Sequence, residues 1–134
     1  MPISFSIRNM GGSAAYGLKH SSDFVITTEA LSQAEVDGRF AEMRALPDMQ
    51  VAGSKTIELA AGQQTSFTDY VPLIKSDQQV TELQLGKQIL YVMVLLRYVD
   101  DAGGLESTLC AYVNGDSLHL CPSDNYDAFA VSLR

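Results

Sequence analysis

The chain has 134 residues, 46% of them hydrophobic, and a formal net charge of −7. That is enough apolar material for a single core, so one domain spanning 1–134 is expected. The acidic balance, with nine Lys and Arg scattered along the chain, speaks against nucleic acid as a partner, because such binding depends on cations that neutralise phosphates. The longest apolar run, residues 89–96, is too short to cross a bilayer, and no direct membrane insertion is expected.

Ile3, Phe5 and Ile7 alternate with Ser4, Ser6 and Arg8, the pattern of a strand with one wet face. For that reason the amino terminus is read as a strand and not as a signal peptide. Asn9, Met10, Gly11 and Gly12 then turn the chain. Residues 14–19 and 23–28 read as two extended stretches, with Tyr16 and Leu18 on one face. A helix follows. Ser32 and Glu35 have the spacing of a capping box, and Leu31 and Val36 that of a hydrophobic staple. Val36, Phe40 and Met43 recur at helical spacing, and Pro47 stops the run. Gly38 costs this helix about 1 kcal/mol relative to Ala, so it must lean on the sheet.

Residues 55–59 and 66–73 read as two more strands, joined by a loop of hairpin length at 60–64 that contains Gly62. Ser76, with Gln79 at the matching box position, opens a second, shorter helix that Gly86 ends. The longest β-forming run, 88–100, comes next. With the loop at 101–104 and the apolar segment 105–113 it forms the expected central antiparallel hairpin. A turn at Asn114 and Gly115, a short strand over 118–121 and a polar tail complete the chain. Turn signals recur at the spacing of a sandwich. The expected fold is all-β: an antiparallel, immunoglobulin-like β-sandwich of about seven strands with two short helical inserts.

Side-chain direction flips at every residue of a strand, and this constrains Cys110 and Cys121. To put Leu109, Ala111, Val113, Leu118 and Leu120 on one face, Val113 must oppose either Leu118 or Asp116. The cysteines then share the other face, directly opposite in the first register and diagonal in the second. Both a disulfide and a pair of close thiols fit that placement. A disulfide would add about 2–3 kcal/mol on the chain-entropy model and would persist in an oxidising compartment.

Ile7, Arg8, Asn9 and Gly11, followed by Ala15 and Tyr16, begin a set of short motifs. Leu59, Gly62 and Gln63 come next, then Gly86 ahead of Leu90, Tyr91 and Val92. After these stand Arg97, Tyr98, Asp100 and Gly103, then Thr108, Cys110 and Tyr112, and finally Cys121 with Pro122. With these the chain resembles a class of uncharacterised bacterial extracytoplasmic β-sandwich domains, usually found C-terminal to membrane-spanning segments. The resemblance implies a sandwich and an extracytoplasmic location, and it brings no activity with it. The chain departs from the pattern in lacking anchoring helices and in carrying the helix near residues 32–46 as an apparent insertion.

No motif for a catalytic nucleophile, phosphate loop or dinucleotide site occurs. His20 and His119 stand in no metal-ligand spacing. The acidic residues Asp100, Asp101, Asp116, Asp124 and Asp127 fall at turns, where Asp is an ordinary turn former. No enzyme activity and no cofactor are therefore expected. Tyr91, Arg97, Tyr98 and Tyr112 are a candidate binding face if they point outward; core packing is the alternative, and it places Arg97 opposite Tyr98. The expected role is a non-enzymatic accessory or protein-interaction domain, with a partner protein or a second copy in a homodimer as the contact, since open β edges pair readily. A small-ligand or cation-binding module using the turn ends is the competing expectation.

Overall fold

Within the strand Ile89–Asp100, Leu90 to Leu96 are buried on both faces, and an apolar cluster forms on each side of it. The computed structural model describes residues 2–9, 12–45, 57–70, 76–100, 103–115, 117–121 and 129–133. Within them run β1 (Pro2–Asn9), β2 (Ala15–Thr27), α1 (Gln33–Ala45), β3 (Ile57–Leu59), β4 (Gln64–Tyr70), α2 (Asp77–Gln84), β5 (Ile89–Asp100), β6 (Gly103–Asn114), β7 (Ser117–Leu120) and β8 (Phe129–Leu133). Every strand pairing among them is antiparallel. A five-stranded sheet has the order β3-β2-β5-β6-β7, and a three-stranded sheet the order β4-β1-β8.

On one face of β5, Leu90, Val92, Val94, Leu96 and Tyr98 join Ala15, Leu18, Leu59, Leu109 and Leu83 of α2 in one apolar cluster. On the other face, Tyr91, Met93 and Leu95 pack with Val36, Phe40 and Met43 of α1 and with both cysteines. A strand walled on both sides reads as an unbroken apolar run instead of an alternating one, which accounts for the 89–96 stretch.

The caps of α1 form as the sequence predicts. The Glu35 amide donates to Ser32 Oγ at 3.2 Å, and the Ser32 amide donates to Glu35 Oε1 at 3.2 Å. Both ends of the helix are also fastened to β5. The Leu31 amide donates to the Tyr91 hydroxyl at 3.0 Å, and Arg97 Nη2 donates to the Arg44 carbonyl at 3.0 Å. At the end of α2, Lys87 N donates to Glu82 O and Gly86 N to Leu83 O. That is a Schellman cap, with Gly86 at φ 74° in the left-handed conformation it requires. The Gly115 amide donates to the same Leu83 carbonyl, docking the turn after β6 onto the helix end.

Four expectations need correction. The stretches 14–19 and 23–28 belong to one strand, β2, with a register shift between Tyr16 and Lys19. Gly17, at φ 62°, takes the extra residue of this bulge. The insertion reverses the facing, so Leu18 shares its core cluster with Ala15 while Tyr16 stays exposed. Second, β3 and β4 do not form a hairpin: β3 pairs with β2 and β4 with β1, so the 60–63 loop passes from one sheet to the other. Buried Asn9 holds this crossing. Its side-chain amide donates to Leu59 O at 2.9 Å and Ser13 O at 3.0 Å, its backbone amide to Gln63 O, and its carbonyl accepts from the Gly62 amide. Third, the tail read as polar contains β8, which pairs with β1 in a register that sets Val131 opposite Ile7; the described strands number eight. Fourth, pairing of the central hairpin continues through Gly104 to Gly103, which opposes Asp100, so the connection is two residues long where four are predicted.

Candidate functional site

The face of the five-stranded sheet that α1 covers brings together most of the residues singled out from the sequence. Pairing of β6 with β7 sets Val113 opposite Leu118, Tyr112 opposite His119 and Ala111 opposite Leu120. This is the first of the two registers the alternation allows, and it continues to Cys110 and Cys121. Their Cα atoms are 5.3 Å apart, their sulfurs are bonded, and the Cys121 amide donates to the Cys110 carbonyl at 2.9 Å. Cys110 is fully buried and Cys121 is 7% exposed, so the disulfide belongs to the core layer beneath α1.

The same face carries a ladder of rings. Tyr91 and Tyr112 lie with centroids 5.4 Å apart, and His119 stacks on Tyr112 at 5.0 Å. The ladder runs from a buried tyrosine on β5, through a half-buried one on β6, to an exposed histidine on β7. It acts as cross-strand packing, with neighbouring side chains on one face supplying the sheet's lateral cohesion.

The four residues of the candidate binding face do not share one surface. Tyr91, Arg97 and Tyr112 lie on the α1 side of the sheet. Tyr98 lies in the opposite core cluster, its hydroxyl 3.4 Å from Ser107 Oγ. Tyr91 and Tyr98 are buried. Arg97 caps the carboxyl end of α1 and stands 3.8 Å from Glu106, which pairs with Arg44 at 2.7 Å. Beside the helix, Arg39 pairs with Asp23 at 2.9 Å. All these ion-paired groups are partly solvent-exposed, so each pair contributes little to stability. Together they fix the lie of α1 on the sheet.

The alternation places Leu118 and Leu120 correctly on the face of Ala111 and Val113, yet the two are 47% and 63% exposed. Every residue of β7 is exposed. Among the described residues no strand pairs with its outer edge. Leu85, the C-cap of α2, is also exposed, and its helix packs through Leu83 in the same cluster as Leu109. An alternating strand reads the same whether its apolar face is covered or bare; the signal that could have marked this one is its shortness and lack of charge at the end of the sheet order.

Among the described residues no three His, Cys, Asp or Glu stand together to hold a metal ion. Asp101, Asp116, Asp124 and Asp127 lie outside the described residues, as do Pro47 and Pro122. No described helix is long and apolar enough to cross a membrane. Compared with family models, curated proteins and solved structures, the chain matches none of them.

Proposed function

We propose that the chain is a non-enzymatic interaction domain that engages protein through the β7 edge, with a second copy of itself as the partner. The observation that carries this reading is the edge strand Ser117–Leu120, on whose outer side no strand pairs among the described residues, with Leu118 and Leu120 exposed. Proteins that guard a sheet edge shorten it or place Lys, Pro or an inward charge there; β7 is short, at four residues, but carries no Lys, Pro or carboxylate. Its sequence Ser-Leu-His-Leu is free of Asp, Glu, Lys and Arg in a chain of net charge −7. Two copies therefore approach here with less repulsion than over the acidic remainder. Antiparallel pairing of two β7 strands about a two-fold axis uses the same patch on both. Four residues a side are few for a stable interface, so exposed Leu85 at the end of α2 is assigned to the contact as well.

The architecture that goes with this role is an immunoglobulin-like sandwich, in which the β4-β1-β8 sheet lies over the face of β5 that α1 leaves free. Complete burial of Leu90, Val92 and Val94 on that face supports a covering layer, and the Asn9 crossing supplies the link between sheets. The disulfide fits the extracytoplasmic setting that the family resemblance implies.

Light scattering coupled to size exclusion tests the contact. A dimer that Leu118→Lys with Leu120→Lys converts to monomer, while the circular dichroism spectrum stays unchanged, is the expected result. A wild-type chain that remains monomeric at high concentration overturns self-pairing.

A further inference from the structure

We propose that the Cys110–Cys121 disulfide is a redox latch on the β7 edge. Closed, it holds β7 on the sheet with Leu118 and Leu120 displayed; reduced, it lets β7 come away from β6 and the docking edge is lost. The functional half of this inference rests on the edge-pairing reading above, while the mechanical half stands on the structure of the hairpin itself.

The mechanical half begins with what holds β7. It has four residues, all exposed, and four register pairs, all with β6. With Leu118 and Leu120 47% and 63% exposed, burial contributes far less to its attachment than it does to that of β5. The turn between Asn114 and Ser117 closes one end of the β6–β7 hairpin. The other end is closed by the disulfide, whose sulfurs sit in the α1-side core with Phe40, Tyr91 and Met93. Cys121 follows β7 directly, so the strand is strung between a turn and an anchor buried in the core. Removing the anchor leaves the short ladder with β6, the turn and the stacking of His119 on Tyr112. By contrast β5, between β2 and β6 and walled on both faces, has no need of the covalent tie.

The chemistry is thiol–disulfide exchange with a dithiol reductant. One thiolate of the reductant attacks the sulfur of Cys121, the less enclosed of the two, forming a mixed disulfide. Cys110 leaves as a thiolate and takes up a proton. The second thiolate of the reductant then attacks its own mixed disulfide and releases Cys121, which is protonated in turn. The protein disulfide gains two electrons and two protons, and the dithiol is oxidised to its cyclic disulfide. Because Cys110 is fully buried and Cys121 nearly so, attack requires fraying at the end of β7, which makes the bond slow to open.

Hydrogen exchange read by mass spectrometry on the full chain tests the latch. It compares the native protein, the protein treated with dithiothreitol under native conditions, and the double variant Cys110→Ala with Cys121→Ala. The expected result is that amides over 117–121 exchange at least about tenfold faster in the reduced and variant forms, with 89–98 still protected and the dimer lost in parallel. Three results overturn the latch. They are β7 exchange unchanged by reduction, protection lost throughout β5, and a bond that is already open in the native chain or that dithiothreitol cannot open while the chain is folded. If β7 opens on reduction but association ignores both reduction and the Leu118→Lys with Leu120→Lys change, the latch stands and the edge-pairing reading falls.

Discussion

Strands β5 and β7 belong to the same sheet, one strand apart, and are held in place by different means. Leu90 to Leu96 of β5 lie buried between two apolar layers, one of them provided by α1. Every side chain of β7 is exposed, and the strand depends on hydrogen bonds to β6 and on the covalent tie through Cys121. Burial makes position self-enforcing, because leaving the core costs about 25 cal/mol for each Å² of apolar surface wetted. An exposed edge lacks most of that restoring force. Burial is thus concentrated in one strand of the sheet, and the proposed contact falls on another.

That contrast can be broken or sharpened by substitution. Leu95→Ala, at a fully buried site facing α1, is expected to cost about 2–5 kcal/mol, measured by urea denaturation; a loss under 1 kcal/mol would mean that the α1 layer collapses readily and that the centre is less tightly walled than described. A smaller effect is expected from Tyr91→Phe. It keeps the ring but leaves the part-buried Leu31 amide without its acceptor, at a cost of about 1–2 kcal/mol. Local exchange at Leu31 and the first turn of α1 should rise more than exchange in β5. The smallest is Leu120→Thr, a change at a 63% exposed edge position expected to alter stability by less than about 0.5 kcal/mol. Should thermal unfolding instead show a loss near that of Leu95→Ala, β7 would be packed after all, and the contrast would vanish.

Features set by neighbours in sequence were legible, and those set by distant partners were less so. The capping box of α1, the Ser76 cap and Gly86 stop of α2 and the central hairpin follow from local side-chain and turn chemistry. That Cys110 and Cys121 share a face follows from alternation, which allows two registers; the pairing of Val113 with Leu118 selects one of them. Gly17 hides its bulge because a glycine inside an alternating stretch does not announce an extra residue, and Tyr16 and Leu18, which simple alternation puts on one face, are separated by it. The 60–63 loop has the length of a hairpin connection, but the pairing of its flanking strands with β2 and β1 is a choice made by strands forty to sixty residues away. The candidate site was half visible. The shared face of its cysteines and that of its leucines could be derived, whereas the bond between the sulfurs and the exposure of those leucines depend on what surrounds the strand, and alternation carries no signal of that.

The two fastenings of α1 also fix a length. From Gln33 to Arg44 the helix rises about 17 Å at 1.5 Å per residue, with Leu31 and Ser32 leading into it, and from Tyr91 to Arg97 an extended strand covers about 20 Å at 3.3 Å per residue. Helix and strand run in the same direction and are joined at both ends, so a stretch of β5 serves as a ruler for α1. Removing one residue from the helix would shorten it and turn its apolar stripe by about 100°, so that Phe40 or Arg44 could meet its station on the strand, but not both.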